Sequence, residues 1–304
     1  MEVLMKSVQF ATYGDPEVLQ LVDVDEPHAG PGEVRISVRA AGVNAMDWKV
    51  RAGYMREIIP LELPAGTGFD AAGVIDEVGE GVTGVAIGDD VFGAGSATYS
   101  EFAVLSVWAV KPDKLSFEEA AGYPIPVGTA IRILNEVGVK PGETLLVSGA
   151  AGGVGSAVVQ IAAVRGIKVI GTASEGNQDY LASLGATPTT YGDGLVDRVR
   201  ALAPGGIDAA LDIAGSGVIP DLIKLTGEPS KVLSIADYSA PEHGAKITGA
   251  PVDRVGAFRE AARLFNEGAF RLPVAKTFTL ADAAEAQIVS ANGHGAGRMV
   301  ITVT

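Results

Sequence analysis

The sequence predicts an α/β protein in which a doubly wound parallel sheet is joined to a separate β-rich domain. Three observations predict it. The first 115 or so residues carry short alternating runs divided by glycine turns. Beyond residue 116, strand-like and helix-like runs alternate, which implies parallel strands with crossover helices. Near the start of that alternation, residues 147–155 read Val-Ser-Gly-Ala-Ala-Gly-Gly-Val-Gly between an apolar run and a helix-like run. At 304 residues the chain is long for one core, so two domains are expected.

Taken in order, Val34 to Arg39 alternates with period two, as a half-buried strand does. Val74 to Val78 and Glu101 to Val104 are similar in kind. Turns at Gly79-Glu80-Gly81, Gly84 and Gly88-Asp89-Asp90 separate them, which suggests a compact barrel or sandwich. Ser116 and Glu119 form a capping-box pattern, so a helix is expected from there toward Val137, broken at Pro124 and Pro126. After a turn at Pro141-Gly142, a strand is expected over Thr144–Ser148 and a helix over Val154–Arg165, with Gly166 as its C-terminal cap. A second strand, Lys168–Thr172, and a helix over Asp179–Leu184 ending at Gly185 follow. Then come a strand at Asp208–Ile213, a helix at Ile219–Leu225 and a strand at Lys231–Ile235. A long amphipathic helix, Val252–Glu267, is expected to close this half. The tail from Arg298 is strand-like and is expected to return to the first domain. The expected boundaries are 1–124 with 268–304 for the β-rich domain and 125–267 for the α/β domain.

Composition narrows the function. The net charge of −14 argues against nucleic acid or an anionic membrane as the main partner. No apolar run reaches the roughly 18 residues that span a bilayer. The N-terminus lacks the charged-then-apolar order of a signal peptide, so a cytoplasmic location is expected by default. With no cysteine there is no disulfide, thiolate nucleophile or thiolate metal ligand. The three histidines show no helical zinc spacing; His28 and His294 read as exposed turn residues.

The glycine loop carries the chemistry. A strand that ends in such a loop and restarts as a helix gathers free N–H groups at the positive end of the helix dipole, a site for a pyrophosphate. The loop is A-x-G-x-x-G, with Ala150, Gly152 and Gly155 in the three positions. Alanine first requires that the turn there have no positive φ. The bland alternative is a tight turn without a ligand. An acid at the end of the second strand would hold the ribose 2′-hydroxyl of NADH. Here that end reads Gly171-Thr-Ala-Ser174-Glu175-Gly-Asn177, neutral and hydroxyl-rich up to Glu175, with no arginine or lysine following. NADPH is therefore expected over NADH.

Several motifs together resemble the medium-chain dehydrogenase/reductase superfamily, in its zinc-independent quinone oxidoreductase branch that includes zeta-crystallin. Ala41-Gly-Val-Asn44-Ala-Met-Asp47 resembles A-G-V-N-x-x-D, and Gly88-Asp-Asp-Val-Phe-Gly93 resembles G-D-x-V-x-G. Residues 64–79, with Gly68, Asp70, Gly73 and Gly79, resemble the longer motif between them, and 148–155 resemble the branch's nucleotide loop. The resemblance implies a GroES-like β-barrel domain, a Rossmann domain, an active site in the cleft between them, and a homodimer or homotetramer. Zinc alcohol dehydrogenases of the superfamily carry cysteine and histidine ligands in these motifs; Asn44 and Phe69 stand in their places. The resemblance therefore implies that the catalytic zinc is missing.

It also implies roles. Asn44 and Thr129 are expected near the nicotinamide, and Ala150, Ala151, Gly152, Gly153 and Val154 at the pyrophosphate. Ser174, Asn177 and Tyr191 match positions near the adenosine 2′-phosphate, where relatives often carry a basic residue at the place of Gly176. Ile213 and Ala214, then Ser234, Ile235 and Ala236, end later strands where such ligands dock. Arg298 is either near the nucleotide or simply solvated. Lys49 and Tyr54, just beyond Asn44, are candidate proton donors, while Asp47 is read as structural.

Without a metal to hold charge on oxygen, a plain ketone is a hard substrate and a conjugated acceptor an easier one. The expected activity is NADPH-dependent reduction of a quinone or an α,β-unsaturated carbonyl, mainly by positioning. Two alternatives stay open: an enoyl-thioester reductase of fatty acid or polyketide metabolism, and a non-catalytic NADPH-binding protein, crystallin-like or a sensor.

Overall fold

The computed structural model describes residues 4–293 and 295–303. In chain order its strands and helices begin with β1 (Leu4–Phe10), β2 (Gln20–Asp25), β3 (Val34–Val43), α1 (Ala45–Arg51), β4 (Ala65–Gly66), β5 (Asp70–Val78), β6 (Asp90–Gly95), β7 (Phe102–Val110) and α2 (Phe117–Ala121). Next come α3 (Pro124–Val137), β8 (Thr144–Ser148), α4 (Gly153–Val164), β9 (Lys168–Ala173), α5 (Gln178–Ser183), β10 (Thr187–Thr190), α6 (Leu195–Leu202) and β11 (Ala209–Asp212). The chain ends with α7 (Ile219–Thr226), β12 (Val232–Ser234), β13 (Lys246–Ile247), α8 (Arg254–Asn266), β14 (Val274–Thr279), α9 (Ala283–Asn292) and β15 (Arg298–Thr302). The chain divides into two compact units, 4–125 with 254–293 and 298–303, and 126–253 with 295–297.

In the first unit β3, β5, β6 and β7 pair antiparallel in succession, and β7 pairs back onto β3, which closes a barrel. The period-two alternation of β3 is the reason: Val34, Ile36 and Val38 point inward onto Ala71, Ile75, Val91 and Leu105. Register shifts near Arg35 and Val38 supply the local bends that closure needs. The tail strand β15 pairs antiparallel with β3, from Met299↔Val43 to Thr302↔Ala40, as expected of a chain that returns.

In the second unit six strands lie in the order β10-β9-β8-β11-β12-β13, and every pairing is parallel. Counted from β8 as the first, the order is 3-2-1-4-5-6, the doubly wound Rossmann arrangement. Leu145 to Ser148 of β8 are all buried, which is why this strand reads as an unbroken apolar run rather than an alternation.

Three expectations are corrected. The helix from Ser116 breaks before the prolines: Ser116 caps α2 through Glu119 N–H, α2 stops at Gly122, and Pro124 opens α3. Proline is tolerated in a first turn, where the missing N–H has no intrahelical acceptor anyway. The helix expected to close the α/β half, α8, belongs to the first unit. Its buried stripe (Ala257, Phe258, Ala261, Leu264) packs there, with the Phe258 ring 5.9 Å from that of Phe92 on β6. Amphipathic spacing shows that a helix has a buried face but not what covers it. Finally, Arg298 is buried rather than solvated. His28 is an exposed turn residue, its ring 3.1 Å from Glu77; the turn read at His294 lies outside the described residues. Among the described residues no helix is long and apolar enough to cross a membrane.

Candidate functional site

The glycine loop is built so that its first turn falls one residue ahead of the alanine. Gly149 carries the positive φ of +81°, and Ala150 carries none. Ala150 can therefore replace the customary glycine, and it is fully buried. Thr172 on β9 ties the loop down: its Oγ1 accepts from Gly149 N–H at 3.3 Å and its carbonyl from Ala150 N–H at 3.0 Å. Gly155 has no room for a side chain; a Cβ there would lie 2.3 Å from Gly149 O and 2.6 Å from Ala150 Cα.

Helix α4 starts at Gly153 with Gly152 as its N-cap, and Gly152 has no side chain to cap anything. The first closing bond runs from Ser156 N–H to Gly152 O at 2.8 Å. The N–H groups of Gly153, Val154 and Gly155 precede it, at the positive end of a helix of 12 residues. Gly152, Gly153 and Val154 are partly exposed, whereas Ala151 is buried. A Cβ on Gly152 would meet nothing nearer than Gly149 O at 3.6 Å, so the space over the helix end is open. This cradle fits a pyrophosphate.

The strand ends around the cradle hold the other predicted residues. Ser174 and Tyr191 follow β9 and β10, whose register pairs Ala173 with Thr190, so they leave adjacent strands side by side. Asn177 Nδ2 donates to Ser174 Oγ at 3.0 Å, and Tyr191 is 53% exposed. Ile213 N–H donates to Ser148 O at 3.0 Å, and Ala214 N lies 3.1 Å from the place of a Gly149 Cβ. Ile213 and Ala214 thus sit against the loop where the strand order reverses. Ser234 is different. Its hydroxyl donates to the buried Asp212 Oδ2 at 2.8 Å and accepts from Ala236 and Asp237 N–H, so it closes its own turn. Ile235 and Ala236 are left partly exposed, and Thr129 lies partly buried on α3.

The first unit contains a second constellation that the sequence only half revealed. Asn44 ends β3 and caps α1, with Asp47 at N3; the Asn44 N–H donates to Asp47 Oδ2 at 2.7 Å. The Asn44 side chain is held at both ends: Nδ2 donates to Asp70 Oδ2 at 2.9 Å, and Oδ1 accepts from Arg298 Nη2 at 2.7 Å. Arg298 also donates to Val43 O and Gly122 O. Tyr99 OH donates to Asp47 Oδ2 at 2.8 Å, and Ile125 N–H donates to Asp70 Oδ2 at 3.0 Å. Asp47 and Asp70 are fully buried, and burial pushes each carboxyl up to about 7; their hydrogen bonds offset only part of that. Burial likewise pushes the Tyr99 phenol far above its ordinary range, with Asp47 adding to the effect. Asp47 and Asp70 each keep one buried oxygen with no partner. Lys49 is partly exposed with its ammonium 5.6 Å from the centre of the Trp48 ring. Tyr54 is 74% exposed and meets Trp48 edge-on. Neither side chain joins the Asn44 cluster.

The sequence marks Asp70 as a motif position but carries no sign of its pairing with Asn44, and nothing in it marks Tyr99. A buried tyrosine leaves no trace in hydropathy patterning. Among the described residues no group of three or more His, Cys, Asp or Glu is placed to hold a metal ion.

Residues 30–112 match the alcohol dehydrogenase GroES-like domain family, and residues 153–258 match the zinc-binding dehydrogenase family. The chain is 30% identical to a quinone oxidoreductase of Sus scrofa over 98% of each chain. It is 33% identical to a pikromycin polyketide synthase component of Streptomyces venezuelae, over 96% of this chain and 8% of that much longer one. Its fold superposes on a mycobacterial protein solved in complex with NADPH with a TM-score of 0.87, at 26% identity, over 98% of this chain and all of the other.

Proposed function

The chain belongs to the quinone oxidoreductase branch of the medium-chain dehydrogenase/reductase superfamily, whose members are NAD(P)-dependent oxidoreductases, and from that premise we propose that it reduces a quinone or an α,β-unsaturated carbonyl with NADPH and without a metal. The observation that carries the metal-free reading is the Asn44 side chain. It stands where zinc relatives place a cysteine, and both of its polar ends are already engaged by Asp70 and Arg298. Phe69, at the histidine position, offers no ligand atom.

The cofactor, when bound, supplies a hydride, and a conjugated acceptor spreads the resulting charge into an enolate or quinolate. This chain's part is to bind and orient. Gly153, Val154 and Gly155 N–H would hold the cofactor's pyrophosphate, and Ser174, Asn177 and Tyr191 its adenosine end; Asn44, locked in one amide orientation, is assigned to the nicotinamide on the family resemblance alone. Lys49 and Tyr54 are the candidate proton donors of this reading, and neither is buried away from water.

An acceptor panel tests the proposal by following NADPH absorbance with quinones, enones and enoyl thioesters. Oxidation with a quinone or enone is the expected result. Turnover confined to the thioester would replace it with the enoyl-thioester reading, which the polyketide synthase relative favours. Binding without turnover on any acceptor would overturn the catalytic reading. Tighter binding of NADH than NADPH in a fluorescence titration would overturn the cofactor preference alone.

A further inference from the structure

We propose that Arg198 makes the adenosine end selective for a 2′-phosphate, in place of the basic side chain absent at Gly176. The inference rests on the NADPH reading above.

Ser174 and Tyr191 leave the adjacent strands β9 and β10 side by side. Arg198, in the second turn of α6, folds back over the end of β10. Its Nη2 lies 3.0 Å from Thr190 O, 3.3 Å from Tyr191 O and 3.4 Å from Gly192 O, and its Nη1 lies 2.6 Å from Asp193 O. The guanidinium is thus fixed against the backbone that carries Tyr191. Its Nη1 has a second N–H beyond the bond to Asp193 O, in the planar fork that suits a phosphate.

The surroundings need such a charge. Glu175 follows Ser174 directly and is exposed, and Asp179 and Asp193 are exposed nearby in sequence. A phosphate entering here meets carboxylates unless a cation offsets them. Gly176 stands open, with nothing within 4 Å of a Cβ, so the chain has the room but not the residue. A guanidinium held by backbone carbonyls loses little side-chain entropy when a phosphate arrives.

The test measures binding to the full-length protein by calorimetry with NADPH, NADH, 2′,5′-ADP and 5′-AMP. R198M is expected to weaken NADPH and 2′,5′-ADP by roughly ten-fold or more, and NADH and 5′-AMP by less than about two-fold. The double variant R198M/G176R is expected to recover most of the 2′-phosphate affinity, because it puts a cation two residues beyond Ser174. Equal weakening of all four ligands, or no rescue, would overturn the proposal. If R198M does not fold, R198K decides: it keeps the charge, so a ratio of 2′,5′-ADP to 5′-AMP affinity that falls to that of a neutral site overturns it. The wild-type NADPH-to-NADH ratio tests the cofactor reading; only the change in ratio on substitution tests Arg198.

Discussion

At the scale of single residues, Arg298 has the largest structural consequence. It is 7% exposed and is the cation whose charge offsets Asp47 and Asp70. One guanidinium reaches Gly122 O, Val43 O and Asn44 Oδ1 because its donors are spread across a rigid fork. An ammonium cannot reach all three acceptors. Arg298→Met removes the counter-charge bonded into this cluster, leaving Asp70 only the pull of Arg254, and frees one end of the Asn44 amide. It is expected to lower unfolding stability by about 3–5 kcal/mol, with Arg298→Lys intermediate, as measured by urea denaturation. A loss below about 1 kcal/mol in the methionine variant would mean that the acids are neutral at the working pH and need no cation.

At the scale of elements, the loop between β8 and α4 separates folding from binding through two of its glycines. Gly155 lacks space for a methyl group: a Cβ there would meet backbone at 2.3 and 2.6 Å, and backbone cannot step aside cheaply. Gly152 has an ordinary φ of −71° and nothing closer than 3.6 Å. Gly155→Ala is therefore expected to lower Tm by several degrees, about 1–3 kcal/mol of strain, and to lose nucleotide affinity with it. Gly152→Ala is expected to keep the wild-type Tm within about 2 °C and still bind NADPH roughly ten-fold more weakly, because its methyl enters the space of the pyrophosphate. Parallel losses in both variants would show that the loop is only a packing element. The same loop shows what a sequence can and cannot reveal. Its strand, turn and helix were legible because three kinds of local signal agree: an apolar run, glycines at fixed offsets, and a helical run. The transfer of the positive φ to Gly149 was not legible, since either neighbour could have taken it. Strands β1 and β2, the β10–α6 pair and the β14–α9 pair carry weak or mixed periodicity, and partners far away in the chain decide them. The Asn44–Asp70–Arg298 contacts span 26 and 254 residues of sequence, a separation over which no local pattern operates.

At the scale of the whole molecule, the acidic composition and the two buried carboxylates make stability depend on pH in an unusual direction. Most paired carboxylates titrate below their ordinary range and lose their contribution in acid. Asp47 and Asp70 do the opposite: burial raises each from 3.8 to about 7. Between pH 4 and 7 the folded chain holds protons there that the unfolded chain releases. Stability from these groups is therefore greatest at the acid end of that window, falls as pH rises through 7, and is flat above it. The groups facing them are Tyr99, which stays protonated, the cations Arg298 and Arg254, and the neutral Asn44, so no other group in the cluster titrates in that window. The exposed Asp237 and Asp282 are lowered by bonds to Ser239 and Thr279 and act only in stronger acid. With three histidines in the chain, few other charges change between pH 5.5 and 8. The unfolding free energy is expected to be at least about 2 kcal/mol larger at pH 5.5 than at pH 8, measured by urea denaturation at fixed ionic strength. Asp47→Asn with Asp70→Asn keeps an acceptor oxygen at each position and removes the titrating proton, so it should flatten more than half of that slope. An unchanged slope in the double variant would move the pH dependence away from the Asn44 cluster. A flattened one would mean that the constellation holding Asn44 also sets the pH range over which the first unit is most stable.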